Sequence, residues 1–146
     1  MLYRTLGKTG LKVSVVGIET HQWSGRGGLY LGEADVKKIL SRAEEVGVNF
    51  IETGECYLYH AAERLLGTAL KSDRNKFIIA TKGGHRISEG AVVPGWSASE
   101  LEKELETSLK ALRTDYIDVY QIHIDATTDG KDFLANIGEI KILLEK

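Results

Sequence analysis

Short runs of apolar, largely β-branched residues alternate with stripes of helical spacing along this chain, and that alternation narrows the folds open to it more than any other feature. Val13 to Ile18 is the first run. Val36, Ile39, Leu40, Ala43 and Val46 follow at helical spacing, with Gly47 placed as a C-terminal stop. Val48 to Glu52 reads as a strand, and Ala62, Leu65, Leu66, Ala69 and Leu70 as one helical face. Phe77 to Thr81 is a third strand. Ser99 and Glu102 have the spacing of a capping box ahead of a stripe at Leu101, Leu105, Leu109 and Leu112. Tyr116 to Ile124 is a fourth strand, and Phe133, Ile137, Ile140 and Leu144 make a last helix. Strand then helix, repeated, is the order of an α/β fold with a parallel sheet. Its strands are continuously apolar because helices cover both faces. The opening stretch, Leu2-Tyr3-Arg4 and Leu11-Lys12-Val13 turning at Gly7-Lys8-Thr9-Gly10, predicts a small hairpin before the first unit.

No linker interrupts the series, so residues 1–146 are expected to form a single domain, with a hairpin over 1–14 and βα units over 15–146. The longer irregular stretches, His21 to Gly32 and Gly83 to Ser97, each follow a strand end. Apolar content of 42% and charged content of 27% belong to a soluble globular protein. A net charge of −2 without a long basic run argues against nucleic acid or an anionic membrane as partner. No apolar stretch approaches the ~20 residues of a membrane span, and Met1 to Thr5 lacks the apolar core of a signal peptide. The cytoplasm is the expected compartment. The single cysteine, Cys56, excludes an internal disulfide and any multi-cysteine metal site. His60 and His85 lack partner spacing for a metal, and none is predicted.

In a parallel α/β array the C-terminal strand ends face one rim. Glu52 closes the second strand, Lys82 follows the third and His123 lies near the end of the fourth. Tyr57 follows Glu52 by one short loop. The topology therefore delivers an acid, a base, an imidazole and a phenol to one face. Each alone has a plainer reading: a loop or cap residue, a solvated lysine, a satisfied histidine at a strand end.

Taken together they carry a resemblance. Gly47-Val48-Asn49-Phe50-Ile51-Glu52-Thr53-Gly54-Glu55-Cys56-Tyr57, followed by Ala62-Glu63-Arg64-Leu65-Leu66-Gly67, resembles the second βα unit of the aldo-keto reductases. Ile79-Ala80-Thr81-Lys82 and Leu109 through His123, including Leu112-Arg113-Thr114-Asp115-Tyr116-Ile117-Asp118, resemble that family's third and fourth units. Tyr3-Arg4-Thr5-Leu6-Gly7 and Leu11-Lys12-Val13-Ser14 match its N-terminal hairpin. The resemblance implies the N-terminal half of a (β/α)8 TIM barrel that uses NADPH, or less often NADH, to reduce an aldehyde or ketone to an alcohol. It implies Tyr57 as the general acid, Lys82 as the charge that favours the phenolate, and His123 as the group that orients the carbonyl or assists the proton transfer. Glu52 would hold Lys82 and contact the nicotinamide ribose, and Thr20 would touch the cofactor.

Two departures from the family pattern bear on that reading. The family's aspartate is here Glu52, one methylene longer, and misplacement by ~1 Å can cost about a hundredfold in rate. The family's Gly-Thr after the first strand is Glu19-Thr20, which sets an anion where the backbone passes close to a dinucleotide. The family's second half, with the nicotinamide stacking face and the pyrophosphate loops, lies beyond residue 146. Four strands leave two open edges and an apolar face, which a second copy or a separate second-half chain could cover. The alternative to a reductase is a catalytically inactive remnant or half-barrel interaction module that no longer binds the cofactor.

The other candidates have plain readings. Cys56 is expected to be an inert filler. Gly25-Arg26-Gly27-Gly28 lacks the dinucleotide and P-loop patterns and reads as a flexible loop. His21 and Trp23 either line a substrate pocket or cap the rim. Glu100, Glu102, Lys103, Glu104 and Glu106 read as a solvated helix face.

Overall fold

An antiparallel hairpin opens the structure: β1 (Tyr3–Thr5) pairs with β2 (Lys12–Ser14), Tyr3 opposite Ser14. Gly7 and Gly10 at the turn both have positive φ, as the turn requires. Then follow β3 (Ile18–Glu19), α1 (Glu33–Val46), β4 (Phe50–Glu52), α2 (Ala61–Leu70) and a 3-10 turn over Lys71–Lys76. After these come β5 (Ile78–Gly83), β6 (His85–Ser88), β7 (Ala91–Pro94), α3 (Ala98–Leu112), β8 (Val119–Ile122) and α4 (Lys131–Leu144). This computed structural model describes residues 1–23, 25, 30–124 and 130–145. Arg26, Gly27 and Gly28 of the glycine-rich stretch lie outside them.

The strands β3-β4-β5-β8 form one parallel sheet in chain order. Glu19 lies opposite Glu52, Glu52 opposite Ala80, and Lys82 opposite Gln121. Helices α1, α2 and α3 pack side by side on one layer, and α4 continues the series against α3. Val36, Ile51, Leu66, Leu70, Ile79 and Leu112, each at most 2% exposed, form the seam between helices and sheet. Burying each such side chain contributes about 1.5–3 kcal/mol. The fold is that of four successive βα units, half of a (β/α)8 barrel.

Several expectations shift by a few residues. The run from Val13 to Ile18 is not one strand: its start belongs to the hairpin, and only Ile18 and Glu19 join the parallel sheet. The helix cap is Ser97 with Glu100, two residues before the expected pair; Ser97 Oγ accepts from Glu100 N at 3.3 Å. The stretch from Gly83 to Ser97 is not irregular but contains the hairpin β6–β7. Gly47 is the left-handed C-cap of α1, φ 80°, as expected. Of the stripe on α4, Ile140 is 3% exposed while Ile137 and Leu144 stand half in solvent. β8 is the outer strand of the described sheet, and α4 packs against α3.

Two features hold the units in register. Arg74 donates to Phe77 O at 2.8 Å and to Asp118 Oδ2 at 2.7 Å, and its guanidinium lies 4.1 Å from the Tyr116 ring centre. The same Asp118 oxygen accepts from Ile79 N at 2.9 Å, tying the start of β8 to β5. On α2, a Cβ at Gly67 would lie 2.5 Å from the carbonyl carbon and oxygen of Leu112, so this glycine sets how closely α2 approaches the end of α3.

Candidate active site

The strand ends converge as the parallel order dictates. Lys82, near the end of β5, has its ammonium 2.8 Å from Glu52 Oε1 and donates to Thr53 O at 2.9 Å. It also donates to the Tyr57 hydroxyl. Its side chain is only 11% exposed, so the solvated-lysine reading does not hold. Glu52, at the end of β4, keeps 29% of its side chain exposed to the rim. One methylene beyond aspartate, it still reaches the lysine.

Tyr57 sits on a strained loop. Leu58, Tyr59 and His60 have φ of 49°, 54° and 61°, three successive left-handed residues with side chains. Such residues cost on the order of 1 kcal/mol or more each, and persist where the surroundings fix them. Here the clamp is His60, the residue before α2. Its Nδ1 lies 2.5 Å from Glu63 Oε2 and its Nε2 3.1 Å from Glu104 Oε2. Glu63 is fully buried and accepts from Thr81 Oγ1 at 2.5 Å, which anchors the clamp to β5. Burial alone would lower the His60 pKa, but Glu63 and Glu104 outweigh it and raise it. Glu104 therefore does not belong to the solvated face of α3.

The phenol is buried, 8% exposed, and its ring stands 4.6 Å from that of His21. Burial first, then Glu52 and Glu19, push its pKa well above the ordinary tyrosine value. The ammonium of Lys82 favours the phenolate, but in this structure the opposing effects prevail. Glu19 also holds the chain beyond β3, accepting from His21 N at 2.8 Å. Thr20 is fully buried and its hydroxyl donates to Thr53 Oγ1 at 2.9 Å. Trp23 belongs to the core with Val36 and Leu40. One concavity, about 660 Å³, lies between Arg74 and the end of α3. A second, about 610 Å³, is lined by Ile18, Phe50, Glu19 and Glu52 and opens onto the free side of β3.

His123 lies just past β8, its amide donating to Gly83 O at 2.7 Å and its carbonyl accepting from Trp96 Nε1 at 3.1 Å. Its Nδ1 is 3.5 Å from Cys56 Sγ, and its ring meets His85 edge-on at 4.6 Å. His85 in turn has its Nδ1 3.0 Å from Glu55 Oε1. Cys56 and Glu55 hold its pKa up to about 10, against the effect of burial. Glu52, Tyr57 and Lys82 thus form one contact group, and His123 joins it through Cys56, the neighbour of Tyr57. The Glu55–His85 pair was not legible in advance: it depends on the turn at Gly84, φ 142°, which no local spacing announces.

Comparison with known proteins agrees with this architecture. The profile of the Aldo/keto reductase family matches residues 17–143. An uncharacterized oxidoreductase of Bacillus subtilis, YqkF, is 33% identical over 152 residues, 97% of this chain and 47% of its own length. The aldo-keto reductase YhdN of the same bacterium is 30% identical over 155 residues, 98% and 46% of the two lengths. An aldo-keto reductase of Bacillus halodurans, solved in its holo form, superposes with a TM-score of 0.82 at 30% identity, covering 99% of this chain and 45% of that one. The chain spans about half the length of the relatives it matches. With profile, sequence and fold in agreement over nearly every residue, this chain belongs to the aldo/keto reductase family.

Proposed function

We propose that this chain carries the proton-donating site of an NADPH-dependent carbonyl reductase, acting on an aldehyde or ketone in the cytoplasm. The observation that carries the reading is Lys82, whose ammonium touches the Tyr57 hydroxyl and lies 2.8 Å from Glu52. The cofactor, NADPH or NADH, supplies a hydride to the carbonyl carbon when bound. Tyr57 donates its proton to the carbonyl oxygen. Lys82 stabilises the phenolate left behind, and Glu52 fixes Lys82 while its exposed edge accepts from a ribose hydroxyl. His123 orients the carbonyl. The rim residues fit the ribose end of such a cofactor, because Glu52 has one oxygen on Lys82 and still faces solvent. Thr20 lies beside Glu52, its amide donating to Glu52 O at 3.1 Å, and completes that end.

Tyr57→Phe tests the assignment. It is expected to abolish turnover of an aldehyde panel while leaving the circular dichroism spectrum unchanged; undiminished turnover refutes it. A second reading, an inactive remnant or interaction module, draws support from Glu19 and Glu52, which push the phenol's pKa up, and from the free sides of β3 and β8. The open strands favour completion by a second copy or a second-half partner. NADPH titration followed by cofactor fluorescence separates the readings: saturable binding supports the reductase, and its absence in a folded chain supports the remnant. Activity that appears only in Glu52→Asp identifies a site that has decayed.

A further inference from the structure

Behind the phenol lies a group of side chains that the reductase chemistry does not use as a set. Glu55, Cys56, His85 and His123 each present a donor atom, and those four atoms lie within 4.8 Å of one another. We propose that they form a binding site for a single zinc-class divalent transition-metal ion, with Cys56 Sγ, one nitrogen each of His85 and His123, and a carboxylate oxygen of Glu55 as ligands.

The donor set decides the class of ion. One thiolate, two imidazoles and one carboxylate suit zinc and cobalt, whereas magnesium and calcium require an all-oxygen shell. Zinc bond lengths of about 2.3 Å to sulfur and 2.0–2.1 Å to nitrogen or oxygen imply tetrahedral edges of roughly 3.3–3.6 Å. Cys56 Sγ and His123 Nδ1, at 3.5 Å, already stand at such an edge, and His85 Nδ1 and Glu55 Oε1, at 3.0 Å, are inside it. With the widest pair no more than 4.8 Å apart, closure onto one ion asks for shifts of about 1 Å.

A second, independent observation points to a ligand. Glu55 is 3% exposed, yet among the described residues its Oε2 is buried without a hydrogen-bond partner, while Oε1 serves both His85 Nδ1 and His85 N, the latter at 3.1 Å. An unsatisfied buried carboxylate oxygen costs on the order of 1–3 kcal/mol, and a cation is the partner that removes that cost most completely. The two anionic ligands would neutralise the ion, as a low-dielectric site requires. The backbone around the cluster is fixed. Trp96 Nε1 and the Gly83 carbonyl hold the two sides of the His123 peptide, and a Cβ at Gly84 would come within 2.3 Å of His123 O. That close passage brings His85 and His123 together.

The site stands whether or not the chain reduces carbonyls, so its test reads metal directly. The chelator-treated chain is titrated with cobalt(II) and the thiolate-to-cobalt charge-transfer and d–d bands are recorded, then zinc is added. One equivalent of cobalt with the intense visible bands of a tetrahedral site, displaced by zinc, is expected. Cys56→Ser should abolish the charge-transfer band, and Glu55→Gln and His85→Gln should each weaken zinc binding by at least about tenfold in a chelator competition. His21→Gln, outside the cluster, should bind as the parent does. Circular dichroism accompanies each variant, and the parent chain alone decides the matter if a variant fails to fold. A folded parent that gives no thiolate band, or a band and affinity unchanged in both Glu55→Gln and His85→Gln, overturns the proposal.

Discussion

Replacing Gly67 by alanine sets two opposed effects against each other, and the structure fixes the sign. Alanine is favoured over glycine inside a helix by about 1 kcal/mol, so propensity alone predicts a more stable protein. At Gly67, however, the new Cβ would meet Leu112 C and O at 2.5 Å and Ala111 O at 2.6 Å. Those distances are about half an ångström short of any tolerable contact, and all three atoms are backbone at the end of α3, with no rotamer to swing aside. The helices α2 and α3 must separate, and overpacking of this kind costs about 1–3 kcal/mol; against rigid backbone the upper half of that range applies. The net expectation is destabilisation by about 1–2 kcal/mol. Gly138 in α4 supplies the control, because a Cβ there meets nothing within 4 Å. Gly138→Ala should therefore gain about 0.5–1 kcal/mol from propensity alone. Urea denaturation followed at 222 nm measures both: with a slope of about 2 kcal/mol per molar, the Gly67→Ala midpoint should fall by roughly 0.5–1 M. A Gly67→Ala protein as stable as its parent, beside a stabilised Gly138→Ala, would refute the account of how α2 and α3 are spaced.

Other outcomes follow from the same contacts. At about pH 10.5, where a free tyrosine is mostly ionised, Tyr57 should remain protonated, and Glu19→Gln should lower the Tyr57 midpoint; difference absorbance between the parent and Tyr57→Phe reads this. His60 and His85 both have folded-state pKa values raised above the unfolded value near 6.5, so the stability they supply is complete below that pH and declines as pH rises through their folded values, for His85 up to about 10. In the metal-free chain, unfolding free energy should therefore fall between about pH 6.5 and 10, and His85→Gln should flatten the upper part of the slope; an unchanged slope would count against the pairing with Glu55. Asp118→Ala leaves the mostly buried Arg74 guanidinium without its carboxylate and should cost about 2–4 kcal/mol in the same urea assay. A loss under 0.5 kcal/mol, about the scale of an exposed pair, would mean that solvent already screens the contact.

The order of elements was legible because periodicity reports which face of each segment is buried, and the parallel order follows from strand–helix alternation. Glu52, Tyr57 and Lys82 could be brought to one rim on that basis, since each closes or follows a strand whose neighbours were known. What escaped the sequence depended on contacts between distant residues. Val15 and Val16 are apolar, yet they are half exposed and join no strand, because the chain is turning there from hairpin to sheet. Ser97 and Ser99 both precede a glutamate by a workable spacing, and only the path out of β7 selects the first. Glu104 read as part of a solvated face, and nothing in the spacing paired it with His60, which the left-handed loop brings to it. The contacts of Cys56 escaped for the same reason, since His85 and His123 follow other strands.

The left-handed turn at Leu58, Tyr59 and His60 also bears on how this region can change over evolutionary time. Its backbone bonds run from His60 N to Glu55 O at 2.8 Å and from Ala62 N to Tyr57 O at 3.3 Å, so the loop's length is locked at both ends. One residue inserted or deleted between Glu55 and Ala61 would rotate the phenol away from Lys82 and take His60 off Glu63 together. Substitutions can be absorbed there one at a time, and glycine at Leu58 or Tyr59 even relieves the backbone. Changes of length cannot, which makes the spacing across this segment a stricter signature of the site than any single residue type within it.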